Sequence, residues 1–317
     1  MTKYVVSGYI GFDNFGDEAI AKILTSHLKQ NGEVTVISSN PAKTAKLYGV
    51  KAVGMLDFVK PILESDVLVS GGGSLLQDVT SLKSLLYYLA IIMTALAAGK
   101  KVVIFAQGFT PFRTNIGKFL TKFALKHCHK ITVRDIGSQK LLADLGINSE
   151  LVADPVFGIT VPQNITHQGV GIQLRSFNGL TDEFLKELAK EIKQRFPNEE
   201  IKLISLQDSL DVEVLKKFSS YGLQAKLLSG LTADEIINEV SNLEYLIGMR
   251  FHSSLVAAKA GVKVLGIDYD IKVKKLASDI GFPLIEMNGS NISEGFDKLL
   301  NLNTKEYTIP EFIFPQI

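Results

Sequence analysis

The stretch Tyr4-Val5-Val6-Ser7-Gly8-Tyr9-Ile10-Gly11-Phe12-Asp13-Asn14-Phe15-Gly16-Asp17-Glu18-Ala19 decides how the chain is read. A short β run passes through spaced glycines into an amphipathic pattern from Asp17 to Lys29. Glycines let the backbone turn tightly and approach a ligand, and the amides that open the following helix suit an anion or a polar group. Gly8, Gly11 and Gly16 do not have the G-x-G-x-x-G spacing, so no nicotinamide cofactor follows from them. Helix capping by Asn14 or Asp17 is the plainer reading of the same residues.

The same strand, loop and helix rhythm continues outward from this stretch. Tyr4 to Ser7, Val34 to Ser38, Val67 to Ser70, Val102 to Ala106 and Ile131 to Val133 read as strands, with helical patterns at Ile116 to Lys126 and Ser138 to Leu145. This alternation predicts a parallel sheet with helices on both faces. After a break at Asp154-Pro155 and the polar stretch Pro162 to Gln168, it restarts with strands expected at Val170 to Leu174, Ile201 to Ser205, Ala225 to Leu228, Tyr245 to Gly248 and Val264 to Ile267. A chain of 317 residues also exceeds what one core usually serves. The expected organisation is therefore α/β, with Rossmann-like domains over residues 1–160 and 161–300 facing across a cleft (GT-B-like). The tail 301–317 is expected to pack back on the first domain. In such sheets ligands sit beyond the carboxyl ends of the strands.

Composition narrows the function. The 34 Lys+Arg against 33 Asp+Glu leave a net charge of +1, so no global field recruits a nucleic acid or an anionic membrane, although a local basic pocket remains open. Cys128 is the only cysteine, which excludes an internal disulfide. His127, Cys128 and His129 are consecutive, so on a helix they point about 100° apart and make a poor metal set. No secretion signal opens the chain. Leu85 to Ala98 is too short for the ~20 residues that span a bilayer, and reads as a helix buried between sheet and neighbours. A cytoplasmic protein follows, with no metal or cofactor and at most peripheral membrane contact.

The candidate chemistry lies at the expected strand ends. Ser70-Gly71-Gly72-Gly73-Ser74-Leu75-Leu76-Gln77-Asp78 places three glycines where a sugar or phosphate could approach the backbone, or where a helix packs closely on a strand. Gln107-Gly108 repeats that placement, and Arg134-Asp135 reads as an ion pair and cap. Arg175 ends the first strand of the second half, where a guanidinium can clamp a carboxylate or phosphate with two parallel hydrogen bonds. The densest constellation is Gly248-Met249-Arg250-Phe251-His252-Ser253-Ser254, where a helix start, a guanidinium, an imidazole and two hydroxyls can bind an anion and move a proton. Capping by His252 and a local partner for Arg250 are the structural alternative.

These segments, together with Ala153-Asp154-Pro155-Val156-Phe157 and Tyr269-Asp270-Ile271-Lys272-Val273, resemble the polysaccharide pyruvyl transferase family, and within it the CsaB-like bacterial cell-wall branch. The resemblance runs in order along nearly the whole chain. It implies phosphoenolpyruvate as co-substrate and a pyruvate ketal on a cell-envelope sugar as product. The acceptor it implies is a lipid-linked sugar containing N-acetylmannosamine, met at the inner face of the membrane. The family's essential Arg-x-His falls on Arg250 and His252, and its donor-side arginine on Arg175. Ser253, Ser254 and Lys272 are expected to complete the donor site. Asp13, Asn14, Asp17, Gly72, Gly73, Ser74 and Gln107 are expected to hold the acceptor. Asp13 stands where the family pattern has glycine, and Phe109-Thr110 where it has small residues. The alternatives are a glycosyltransferase with a nucleotide-sugar donor on the same fold, and a catalytically silent sugar-binding protein.

Overall fold

A computed structural model describes residues 1–79, 81–163 and 165–317. The first strand, Thr2–Ser7 (β1), is buried over its last four residues, as expected of a strand covered on both faces. It is followed by Phe15–Leu28 (α1), Gly32–Ser38 (β2), Pro41–Tyr48 (α2), Lys51–Gly54 (β3), Val59–Glu64 (α3) and Val67–Gly71 (β4). Next come Leu82–Ala97 (α4), Lys101–Gln107 (β5), Asn115–Lys126 (α5), Lys130–Val133 (β6), Ile136–Asp144 (α6) and Glu150–Leu151 (β7). The seven strands pair in the order β3-β2-β1-β4-β5-β6-β7, all parallel. Strand order reverses between β1 and β4, and the space beyond the carboxyl ends at such a switch point is where open α/β sheets bind ligands.

The chain divides into two compact units, Met1–Gly158 with Glu311–Ile317, and Ile159–Pro310. The second unit repeats the plan with Val170–Gln173 (β8), Asp182–Arg195 (α7), Ile201–Ile204 (β9), Asp208–Ser219 (α8), Ala225–Leu228 (β10) and Ala233–Ser241 (α9). Tyr245–Gly248 (β11), Phe251–Lys259 (α10), Lys263–Asp268 (β12), Ile271–Ile280 (α11), Leu284–Glu286 (β13) and Ile292–Leu300 (α12) complete it. Its parallel sheet runs β10-β9-β8-β11-β12-β13, so its switch point lies between β8 and β11. Each sheet has its own core. Leu68, Leu85, Ile91 and Ile104 are fully buried in the first, and Ile172, Leu215, Phe218, Ile247 and Phe296 in the second. Side chains of this kind each contribute roughly 1.5–3 kcal/mol when removed from water.

The tail is shared. Tyr307 belongs to the second unit, where its hydroxyl accepts from Val264 N (3.0 Å) and donates to Val262 O (3.2 Å). Phe314 belongs to the first unit, stacking on His27 at 3.7 Å and on the buried Phe105 at 5.3 Å, with Phe312 against both phenylalanines.

Helix α4 departs from the buried helix expected at Leu85 to Ala98. Leu85, Tyr88, Leu89, Ile91, Ile92 and Ala95 face the core, but Leu82, Leu86, Ala90, Met93 and Ala97, at spacings of three and four, are exposed. The continuous apolar run hides two stripes with different fates. No helix among the described residues is long and apolar enough to cross a membrane.

Candidate functional site

In the second unit, the residues beyond β8 and β11 meet at the switch point. Gly248 ends β11 and Arg250 is the N-cap of α10, in extended conformation (φ −81°, ψ 135°). Arg250 is almost wholly buried, and buried charge survives only when it is paired. Its Nη2 donates to Asp211 Oδ1 at 2.8 Å and to Gln207 Oε1 at 3.4 Å, and its backbone N–H donates to Gln173 Oε1 at 2.7 Å. Asp211, on α8, is fully buried, and its Oδ2 accepts from the amides of Leu206 (2.9 Å) and Gln207 (3.0 Å). The guanidinium is thus held by a carboxylate that is itself anchored to backbone. Arg250 Nε is buried and has no hydrogen-bond partner among the described residues.

Arg175 follows β8, with its N–H donating to Met249 Sδ at 3.4 Å. The Arg175 charge lies near the hydroxyl of Tyr269, a residue just beyond β12. Burial pushes that hydroxyl's pKa up, the Arg175 and Arg250 charges oppose the rise, and Asp270 adds to it. Two arginines and a tyrosine hydroxyl therefore share one neighbourhood, with Phe177 packed edge-on to Tyr269 at 5.5 Å. His252 occupies the second position of α10, half-buried, its ring edge-on to Phe251 at 5.1 Å.

Ser253 and Ser254 differ from the expectation of ligand-facing hydroxyls. Both are fully buried and donate to Arg250 O, at 2.8 and 3.3 Å, because a serine three or four residues into a helix finds that carbonyl first. Lys272 lies exposed in the first turn of α11, its N–H donating to Asp270 Oδ1 at 2.8 Å.

The first unit gathers its polar residues beyond β1, β4 and β5. Asn14 caps α1, its Oδ1 accepting from Gly16 N at 3.1 Å. Asp13 adopts φ 56°, a left-handed backbone that asparagine and aspartate tolerate better than most residues, which explains why glycine is expected at this position. Its exposed carboxylate pairs with Lys43 at 2.7 Å. Glu18 is buried; its carboxylate accepts from Gly11 N at 2.7 Å and from the Tyr48 hydroxyl. Burial holds the Glu18 pKa above its ordinary value although both hydrogen bonds oppose the rise. This glutamate, read in the sequence only as part of a motif, ties the glycine loop to α2. Asn14→Ala is expected to lower stability by about 1 kcal/mol, the usual cost of a lost N-cap, read from the urea midpoint.

Asp17 and Gly73 come together, since a methyl group on Gly73 would lie 2.7 Å from Asp17 Oδ1. Gly72 has φ 63°, and a methyl group there would lie 2.3 Å from Ile20 Cγ2, so close helix packing accounts for this glycine. Asp17 also helps raise the hydroxyl pKa values of Tyr9 and Tyr88, in both cases after burial. Gln107 is fully buried, with Nε2 donating to Ser70 Oγ at 2.8 Å and Oε1 without a partner among the described residues. A register shift between Ile104 and Gln107, with Ala106 at φ 46°, positions it. Ser74 Oγ accepts from Arg134 Nη2 at 3.4 Å. Arg134 pairs not with its neighbour Asp135 but with the buried Asp154, at 2.8 Å, while Asp135 caps α6 through Ser138 N.

A sequence model of the polysaccharide pyruvyl transferase family matches residues 14–271. No curated protein matches the chain. Among solved structures, S. aureus MnaA, determined with UDP, is similar at a TM-score of 0.68 and 10% identity, over 97% of this chain and 90% of that one. The UDP-GlcNAc 2-epimerase of Methanocaldococcus jannaschii is similar at 0.66 and 13%, over 98% and 95%. A glycosyltransferase of Rickettsia africae is similar at 0.63 and 12%, over 95% and 88%. These likenesses identify the fold as GT-B-like α/β.

Proposed function

Because the chain belongs to the polysaccharide pyruvyl transferase family, we propose that it moves the enolpyruvyl group of phosphoenolpyruvate onto a cell-envelope sugar, forming a pyruvate ketal. The observation that carries this reading is the placing of the buried Arg250, paired with Asp211, at the start of a nine-residue helix beyond β11, with Arg175 just beyond the neighbouring β8, its N–H on Met249. Phosphoenolpyruvate carries a carboxylate and a phosphate. Two guanidiniums and the amides opening α10 match two anionic groups. Arg250 Nε, without a hydrogen-bond partner among the described residues, supplies a further donor.

In the proposed reaction a sugar hydroxyl adds to C2 of phosphoenolpyruvate while C3 takes a proton. Phosphate then leaves C2, and a second hydroxyl of the same sugar closes the ketal and releases its proton. Arg175 and Arg250 hold the donor, and His252 moves a proton. Ser253 and Ser254 act through the Arg250 carbonyl, and Lys272 adds charge from α11. The first unit holds the acceptor through Asp13, Asn14, Asp17, Gly72, Gly73, Ser74 and Gln107. The lipid-linked acceptor and the cytoplasmic face of the membrane belong to the same proposal.

Titration calorimetry with phosphoenolpyruvate and with UDP-GlcNAc tests the donor. Saturable heat with the first and none with the second is expected. The reverse result identifies a nucleotide-sugar enzyme, and no turnover despite acceptor binding identifies a silent sugar-binding protein. Asp17→Asn is expected to lower kcat/KM for the acceptor about tenfold or more, the scale of a lost charged hydrogen bond. Phosphoenolpyruvate affinity should be preserved; an equal loss of donor binding would sink the division of labour between the units.

A further inference from the structure

Helix α5 is amphipathic the wrong way round for a solvent-facing helix. Gly117, Thr121, Ala124 and Leu125 face inward. Its outward stripe is Ile116, Phe119 and Phe123, which are 58%, 66% and 47% exposed, and Lys118, Lys122 and Lys126 run along one flank. Water-facing helices put polar residues there. The neighbouring α4, which packs against α5, carries the second exposed apolar stripe described above, with Lys83 as its only charged residue. Exposed apolar surface on this scale, carried on adjacent helices, marks an interaction site.

The charge around these helices narrows the choice of partner. Between Asp78 and Asp135 the sequence has nine Lys and Arg and no Asp or Glu; Lys130 and Arg134 pair with Glu150 and Asp154, which leaves seven, among them the three along α5. The near-zero total therefore conceals a strongly cationic segment. Apolar side chains flanked by lysines are what an anionic bilayer surface binds: the rings enter the acyl boundary and the ammonium groups meet lipid phosphates. A second copy of the same face would bring like charges together. Both helices also start beside the glycine loop after β4. Asp78, at the end of that loop, accepts from Arg113 N (2.7 Å), Thr114 N (2.8 Å) and Thr114 Oγ1 (2.5 Å), and Thr114 caps α5.

The geometry points to the α4–α5 face as a docking surface for an anionic lipid bilayer. It places the chain on the membrane with the first unit's polar loops beside the lipid. The surface itself does not depend on the proposed reaction; only its use in collecting a lipid-linked acceptor does. Flotation of the full chain with vesicles of phosphatidylcholine, with and without phosphatidylglycerol, tests it. Binding is expected on the phosphatidylglycerol vesicles only, falling as salt rises. The double variant Phe119→Glu/Phe123→Glu, altered at exposed positions, should bind about tenfold more weakly or less, with unchanged circular dichroism and unchanged phosphoenolpyruvate heat. Absence of vesicle binding, equal binding to neutral vesicles, or binding that survives the double substitution overturns the proposal. So does a native dimer, seen by light scattering, that the same variant converts to monomer while neither form binds vesicles. Loss of phosphoenolpyruvate heat in the native protein would count against the proposed function alone.

Discussion

His252→Ala is expected to cut turnover by about 10²-fold or more while leaving phosphoenolpyruvate affinity near its native value. The imidazole sits in the first turn of α10, next but one to the arginine that holds a permanent charge. A fixed cation stabilises a bound anion before any bond changes, whereas an acid-base group contributes only while a proton moves. The two losses should therefore fall on different constants. Arg250→Ala is expected to raise the KM for phosphoenolpyruvate and to lower kcat as well. Initial rates with phosphoenolpyruvate and a competent acceptor, read beside calorimetry of donor binding and circular dichroism, separate the two. Near-normal turnover by folded His252→Ala would make the histidine a structural residue and remove the centre of the mechanism.

The second large effect is on stability. Asp211→Ala is expected to destabilise the protein by about 3–5 kcal/mol, the range for breaking a buried ion pair from one side, because Arg250 keeps its charge where water cannot reach it. The amides of Leu206 and Gln207 lose their acceptor in the same step. Asp211→Asn keeps the volume and an acceptor oxygen, so it should cost less, and where folded it should still raise the KM for phosphoenolpyruvate by loosening the guanidinium. Urea unfolding of both variants gives the comparison. A midpoint for Asp211→Ala indistinguishable from the native one would show that Arg250 is held by something else.

Asp211 also shows where reading the sequence stops. In Asp208-Ser209-Leu210-Asp211-Val212 it looks like an acid complementing a helix N-terminus, and nothing local distinguishes it from Asp208. Its partner lies 39 residues away and is brought to it by the pairing of β8 with β11, which no short window contains. Tyr269 is similar: the sequence shows it as part of a motif, but that the Arg175 and Arg250 charges act on its hydroxyl depends on the ends of β8, β11 and β12 coming together. Arg250, His252 and Arg175 stand out as candidates in the sequence because each follows an apolar run where a parallel sheet delivers its loops. The long strands were readable for the same reason, being buried on both faces. The edge strands β3, β7 and β13 are not readable, being two to four residues long with at most one buried residue, whereas β10, also an edge, is read from the run Ala225 to Leu228. Lys51–Gly54, for example, contains no buried residue. The sequence pairs Arg134 with its neighbour Asp135 because proximity along the chain is the one distance a sequence displays, whereas Asp154, in the loop after β7, is the acid it pairs with.

The membership of Glu311–Ile317 in the first unit has a consequence for how the protein is made. The ring faces of Phe312 and Phe314 leave the ribosome only after all of the second unit, so Phe105 waits for its covering aromatics while residues 159–310 are translated. At roughly 5–20 residues per second that interval is about 8–30 s. For that time Phe105 lacks two of the rings that pack on it, and the first unit is complete only once residues 311–317 have been made.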